Sequence, residues 1–292
     1  MKIAYLIIAH NNFQHLNNLI STLNNQQVDF YIHFDKKVKT LPDLSFYKNL
    51  TILEKRFSVN WGGFSLVDAT IELIKVSYNN KQYERFILLS GADYPIRDNQ
   101  YILNFFEENQ VTNYINTQRI LSDDKRIDRL NYYYLEGKGN NKIVDVFRTI
   151  LTQSMKLFNI KRRFPSLYNS YTLHFGSQWW SLNKEFIEYL ITFLEENNTF
   201  VKFYRNSLIP DEMFFQTIIM NSPFAGTVKG TLTYTDWSQG APHPALIERK
   251  HLNRIYNEKN RNGIKFIFAR KFNDSSEVVI KAIKESINLR SQ

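Results

Sequence analysis

Lys2-Ile3-Ala4-Tyr5-Leu6-Ile7-Ile8-Ala9 is a nearly unbroken apolar run, the pattern of a parallel strand buried on both faces. The residues after it decide the fold class. Asn11 is placed to cap a helix whose Leu16, Leu19, Ile20 and Leu23 recur at helical spacing. Val28 to Phe34 reads as a second strand, ending at Asp35, and Leu50 to Leu53 as a third. Beyond the loop Ser58-Val59-Asn60-Trp61-Gly62-Gly63, a helix carries Leu66, Val67, Ile71, Ile74 and Val76. Phe86 to Leu89 is again a buried type of strand, and Ser90-Gly91-Ala92-Asp93-Tyr94-Pro95 is the turn at its carboxyl end. Such alternation over about the first 110 residues predicts an α/β architecture with a mainly parallel sheet.

The rest of the chain is less regular. Thr117 to Lys142 is polar and reads as loop with short helices. Lys142 to Arg163 has the pattern of an amphipathic helix, with Ile143, Phe147, Ile150, Leu151 and Phe158 on one side. Its end, Lys161-Arg162-Arg163, suits the negative pole of a helix dipole. His174 to Leu182 is expected to return to the sheet, with Asn183 capping the helix after it. A further helix starts around Pro210-Asp211-Glu212, Trp237 to Pro244 is a loop, and Ser275 or Ser276 caps a last helix containing Val278, Val279, Ile280 and Ile283. With neither repeat nor linker, the 292 residues read as one domain.

Composition narrows the chemistry. Hydrophobic residues at 43% and charged ones at 22% exclude disorder. The absence of cysteine excludes disulfides, a thiol nucleophile and thiolate metal sites. Ile3 to Ala9 is about a third of the roughly 20 residues that a membrane span needs, and no basic leader precedes it. A soluble, cytoplasmic protein is the expectation. Lys and Arg exceed Asp and Glu by 37 to 28, which favours an anionic partner. Much of the excess lies between Arg249 and Lys271, where eight basic residues face one acid, Glu258. That stretch is either a solvated face or a site for phosphates.

Ligands of open α/β sheets bind beyond the carboxyl ends of the strands. Here those ends carry His10-Asn11-Asn12, Asp35-Lys36-Lys37 and Ser90-Gly91-Ala92-Asp93. Asp35 could accept from a nucleobase imide or ribose hydroxyls, or simply cap a turn. His10 and His15 have no third ligand at metal-binding spacing. Phosphate-loop, dinucleotide, zinc-protease and nucleophile-elbow motifs are missing, as is Asp-x-Asp; Asp123-Asp124 reads as a solvated turn. On its own, Glu212 is a first-turn acid complementing a helix dipole.

Taken together, several segments resemble glycosyltransferase family 14, the core-2/I-branching β-1,6-N-acetylglucosaminyltransferases, the peptide O-xylosyltransferases and their bacterial relatives. They are Ala4 to His10, Ile32-His33-Phe34-Asp35-Lys36, Val59 to Ser65, Leu88 to Arg97, Gly176-Ser177-Gln178-Trp179-Trp180-Ser181-Leu182, Pro210 to Phe215, Trp237 to Pro244, and Phe268 to Phe272. The segment Gln178-Trp179-Trp180 is similar to the xylosyltransferase and plant-like branch. The resemblance implies a GT-A-like single α/β domain: a nucleotide-binding half over about residues 1–110, an acceptor and catalytic half over about 111–272, and a C-terminal helix over 273–292. It further implies a UDP-sugar donor, with UDP-GlcNAc ahead of UDP-xylose, and an inverting reaction that uses no metal or other cofactor.

Carried over by residue, the segment ending at Asp35 holds uridine beside Ala9 and His10, and Asp93 sits at the donor. Glu212 is the base, and Lys271 contacts the diphosphate with Arg270 or a residue among Arg249, Lys250 and Arg254. Trp237 lines the acceptor side, where Trp179 and Trp180 could also stack on sugars, although core packing is the commoner use of tryptophan. Cations replacing a metal fit the chemistry, since the departing UDP needs positive charge and the acceptor hydroxyl needs a proton acceptor. The acceptor is expected to be a glycan, free or lipid-linked, in bacterial surface glycan synthesis, with no nucleic acid involved. The basic end from Lys156 to Arg163 either touches anionic lipid or packs on the core. Two rival readings are a binding protein for nucleic acid or anionic glycans, and a glycoside hydrolase using Asp211 or Glu212 with a distant carboxylate.

Overall fold

A computed structural model describes the chain except residues 81, 122, 138–141, 239, 241–242 and 291–292; the side chains of 142–145, 148, 288 and 290 are also left aside. The strands are β1 (Ile3–Ala9), β2 (Val28–Phe34), β3 (Leu50–Ile52), β4 (Arg85–Ser90), β5 (Asp93–Pro95), β6 (Asn113–Tyr114), β7 (Gln118–Arg119), β8 (His174–Phe175), β9 (Ser181–Asn183), β10 (Val228–Lys229), β11 (Thr233–Thr235) and β12 (Phe268–Arg270). The helices are α1 (Phe13–Leu23), α2 (Ser65–Tyr78), α3 (Asn99–Glu108), α4 (Asp128–Asn131), α5 (Lys142–Leu157), α6 (Lys184–Glu196), α7 (Asn198–Arg205), α8 (Phe214–Met220), α9 (Leu252–Asn257) and α10 (Glu277–Arg290).

The expected α/β architecture is present. Seven strands form one sheet in the order β10-β6-β9-β4-β1-β2-β3. Strand β9 is antiparallel to its neighbours β4 and β6, and the other pairings are parallel. Every residue of β1 is buried, as its unbroken apolar run requires. Alternation along the strand divides the interior into two cores. Ile3, Tyr5 and Ile7 pack with α1, β12 and α10, whereas Ala4, Leu6 and Ile8 pack with α2, α6 and α8. A smaller sheet, β11-β12-β5, and the pair β7-β8 complete the strands. No helix among the described residues is long and apolar enough to cross a membrane.

Four local expectations are corrected. Asn11 does not cap α1: Asn12 precedes that helix in the left-handed conformation (φ 53°), and its side chain donates sideways to Asn11. The segment from His174 splits, because β8 pairs with β7 in its own ribbon and only Ser181–Asn183 joins the main sheet. Asn183 does cap α6, accepting from the Phe186 N–H at 3.0 Å. Pro210–Glu212 is a single 3₁₀ turn after a left-handed Ile209, and helix resumes at Phe214. Finally, α5 stops at Leu157, so Lys161-Arg162-Arg163 lie beyond its dipole, and Phe147, Ile150 and Phe158 are exposed instead of packed.

Arg85 shows how tightly the sheet is tied to its helices. It has no exposed surface, yet its guanidinium donates to the carbonyls of Thr112 (2.7 Å), Asn109 (3.0 Å) and Gln110 (3.0 Å) and lies over Phe106. These carbonyls close α3 and lead into β6, where a helix end would otherwise leave acceptors unpaired. Burial pulls the Arg85 pKa down to about 10, so it stays charged at neutral pH. Arg85→Leu keeps the bulk but strands the acceptors. Urea unfolding is expected to show a loss of about 3–5 kcal/mol.

Candidate active site

The parallel strands part at their carboxyl ends. Asp35 N–H donates to the Ala9 carbonyl and Gly91 N–H to the Ile8 carbonyl, each at 2.9 Å. Asp35 is buried, and its Oδ1 accepts the Lys37 N–H at 2.8 Å while Lys37 Nζ lies 3.4 Å from Oδ2. The turn-capping use of Asp35 is thus realised at the rim of the cleft. His10 is exposed beside it. Partial burial lowers the His10 pKa, Asp35 pulls it up, and the charges of Lys271 and Lys37 push it down. Lys271, distant in sequence, therefore shares a rim with His10, Asp35 and Lys37.

The β5–β12 pairing sets Asp93 opposite Arg270. Asp93 has no exposed surface, and its carboxylate accepts from the Ser90 N–H (2.8 Å) and hydroxyl (3.3 Å). Arg270 Nε stands 3.5 Å from Asp93, and the guanidinium lies 4.4 Å over the Trp179 ring. Burial raises the pKa of Asp93, and the Arg270 charge opposes that rise. Nε and Nη1 of Arg270 are buried without a hydrogen-bond acceptor, an arrangement that native interiors rarely leave unanswered.

Glu212 stands on the 3₁₀ turn with its side chain 40% exposed, and its Oε2 accepts from Arg129 Nη1 at 2.8 Å. Two contacts fix this turn. Ile209 N–H donates to the Gly62 carbonyl (2.8 Å), and Gly176 N–H donates to the Glu212 carbonyl (2.8 Å). Gly176 has to be glycine, because a Cβ there would meet the Asn116 carbonyl at 1.7 Å. From Gly176 the chain runs through Ser177, whose carbonyl accepts from Gln216, and Gln178 to Trp179 beneath Arg270. Three peptide steps span at most about 11 Å, so the backbone of the Glu212 turn lies within reach of the Trp179 ring on which Arg270 rests. A cavity of about 390 Å³ opens past Asn116, lined also by Thr117, Gly230, Thr231, Lys259 and Asn260.

The remaining expected residues divide. Ala9 is buried at the strand end. Trp180 is only 3% exposed, edge-on to Phe215 in the second core, which leaves no face open to a sugar. Trp179 is half-buried under Arg270, and Trp237 is 57% exposed. Arg254 is engaged by Glu258 (2.7 Å) and Asp236 (3.8 Å), and Lys250 by Glu248 (2.8 Å). Arg249 is exposed with no ion pair among the described residues, and the nearby Ile247 N–H donates to the Lys271 carbonyl (2.9 Å).

Two neighbours of the site were not singled out from sequence. Arg129 lies 83 residues from Glu212 in a polar stretch without periodicity, so nothing local marks it. Trp61 is 74% exposed on the loop whose Gly62 anchors Ile209; its exposed loop position is the signal that could have found it. Among the described residues, no three His, Cys, Asp or Glu side chains gather as metal ligands.

Asp211, beside Glu212, is buried with Oδ1 unpartnered, and burial together with the Glu212 charge pushes its pKa from an ordinary 3.8 to about 7. The folded state therefore holds this proton more tightly than the unfolded chain. Its stabilising share is complete below pH ~4 and is lost as pH rises toward 7. Asp211→Asn removes the penalty. Its gain over wild type is expected to reach on the order of 4 kcal/mol at pH 8 and to close toward pH 4, read from denaturation curves at each pH.

Comparison with known proteins places the chain in a family. Rat (Rattus norvegicus) xylosyltransferase 1 is 27% identical over 253 residues, 82% of this chain and 28% of that protein. Mouse (Mus musculus) xylosyltransferase 2 is 26% identical over 249 residues, 82% of this chain and 27% of the relative. The chain thus spans about a quarter of the length of these curated relatives. The family model for the core-2/I-branching enzyme matches residues 3–260, and the chain belongs to that family.

Proposed function

We propose that this chain is an inverting, metal-independent glycosyltransferase that uses a UDP-sugar. UDP-GlcNAc is the first candidate donor, on the family resemblance, and UDP-xylose the second, which the names of the xylosyltransferase relatives support. Uridine lies at the strand ends by Ala9, His10 and Asp35. Glu212 takes the proton of an acceptor hydroxyl, whose oxygen attacks the anomeric carbon as the bond to the diphosphate breaks. A single displacement on an α-linked donor leaves a β-linkage and releases UDP. Lys271 and Arg270 offset the charge of the departing diphosphate. Arg249, with no ion pair among the described residues, is the stronger third cation than the engaged Arg254.

One observation carries the reading. Nε and Nη1 of Arg270, next to Lys271, have no hydrogen-bond acceptor, and the turn of Glu212, whose carboxylate Arg129 holds, is tied through Gly176 to the segment that runs beneath that guanidinium. A diphosphate would satisfy those donors, and cations in a water-excluded site favour a leaving anion. The acceptor glycan, free or lipid-linked, stacks on Trp237. We place this work in bacterial surface glycan synthesis, in the cytoplasm and at the inner face of the membrane.

Glu212→Gln keeps the shape of the side chain and loses the base. Thermal shift is expected to show unchanged stabilisation by UDP, while transfer falls by about 10²–10⁴-fold; undiminished transfer removes Glu212 from the role. Transfer is also expected to persist in excess EDTA. A strict requirement for manganese would overturn the metal-independent mechanism.

A further inference from the structure

Helix α5 carries two apolar arcs. At 3.6 residues per turn, Leu151 and Met155 share one side, and Met155 is buried. Val146, Ile150 and Leu157 fall on one outward stripe with Phe147 beside it, and all four are more than half exposed. Past the helix, a left-handed Asn159 turns the chain, and the Ile160 N–H returns to the Met155 carbonyl at 2.8 Å. This holds Phe158 (70% exposed) and Ile160 (57%) at the end of the stripe. Exposed Gln153 falls on the same stripe between Ile150 and Leu157, and even so, six large apolar side chains exposed on one short stretch are unusual on a water-facing surface.

Its charge identifies the occupant. Residues 146–184 contain no Asp or Glu. Lys156, Lys161 and Arg163 are exposed around the apolar end, while Arg162 turns inward and donates to the Asn206 carbonyl at 2.7 Å. Two copies meeting about a two-fold axis would set like charges together. A bilayer of anionic lipid instead takes the apolar side chains between its headgroups and the cations against its phosphates.

We propose that the outer face of α5 together with residues 158–163 is a binding surface for anionic membrane. The proposal deepens the reading of a lipid-linked acceptor but does not depend on the identity of the donor. Flotation of the full chain with vesicles of phosphatidylcholine containing phosphatidylglycerol tests it, against phosphatidylcholine alone. Wild type is expected to float with the anionic vesicles and to be released at high salt. F147E/L157E and K161E/R163E are each expected to lower the bound fraction by about tenfold or more. Circular dichroism and UDP-induced thermal shifts on the same proteins separate this outcome from misfolding. Flotation untouched by both folded variants would overturn the proposal. So would wild type that ignores anionic vesicles, or that instead dimerises or takes up an acidic protein through this face. If UDP binding fails while flotation holds, the donor reading falls and the membrane face stands.

Discussion

Strand β1 can satisfy its backbone only by lying between β2 and β4, both parallel to it. An extended run buried on both faces has to pair its amides and carbonyls on both sides. Parallel strands need crossovers: α1 carries the chain from β1 to β2 and α2 from β3 to β4, and each brings the next strand out at the same edge. His10, Asp35 and Ser90 consequently leave the sheet together. The small sheet then places β12 against β5, so that Arg270 and Lys271 reach this edge from the far end of the chain.

The parts of the fold that were legible are those whose signal is local. Seven apolar residues in β1, the 3.6 spacing in α1 and the cap at Asn183 each specify their own element. Strands β5 to β12 are two or three residues long, too short for a period to register, and only long-range pairing makes them strands. That is why His174 and Ser181 could not be assigned to separate sheets from sequence. The same limit hid the end of α5, where the apolar pattern runs past Leu157 into residues that leave the helix.

The site was legible as residue types and not as contacts. Glu212 and Lys271 are conspicuous only through a family resemblance. Arg129, which holds Glu212, and Trp179, which lies under Arg270, acquire meaning only when distant turns meet at Gly176. Trp180 illustrates the opposite error: of two adjacent tryptophans that look alike in sequence, the second is used up by the core against Phe215. The basic surplus likewise separates in space. Lys271 lies at the rim beside His10, and part of the surplus surrounds the outer face of α5.

The buried pair of Asp93 and Arg270 follows from this division of charge. Removing both from water costs more than their attraction at 3.5 Å readily returns, so stability alone is a poor reason for the arrangement. Asp93 is held by the Ser90 amide and hydroxyl, and Trp179 supports the guanidinium from below. With one carboxylate and one aromatic face fixing its plane, Arg270 still leaves Nε and Nη1 buried without a hydrogen bond. The next residue, Lys271, is then delivered to the rim beside His10. A fixed cation is worth more to a passing anion than a mobile one, because its ordering is complete before the anion arrives. On the proposed reading of the site, the buried pair is the mount for that charge.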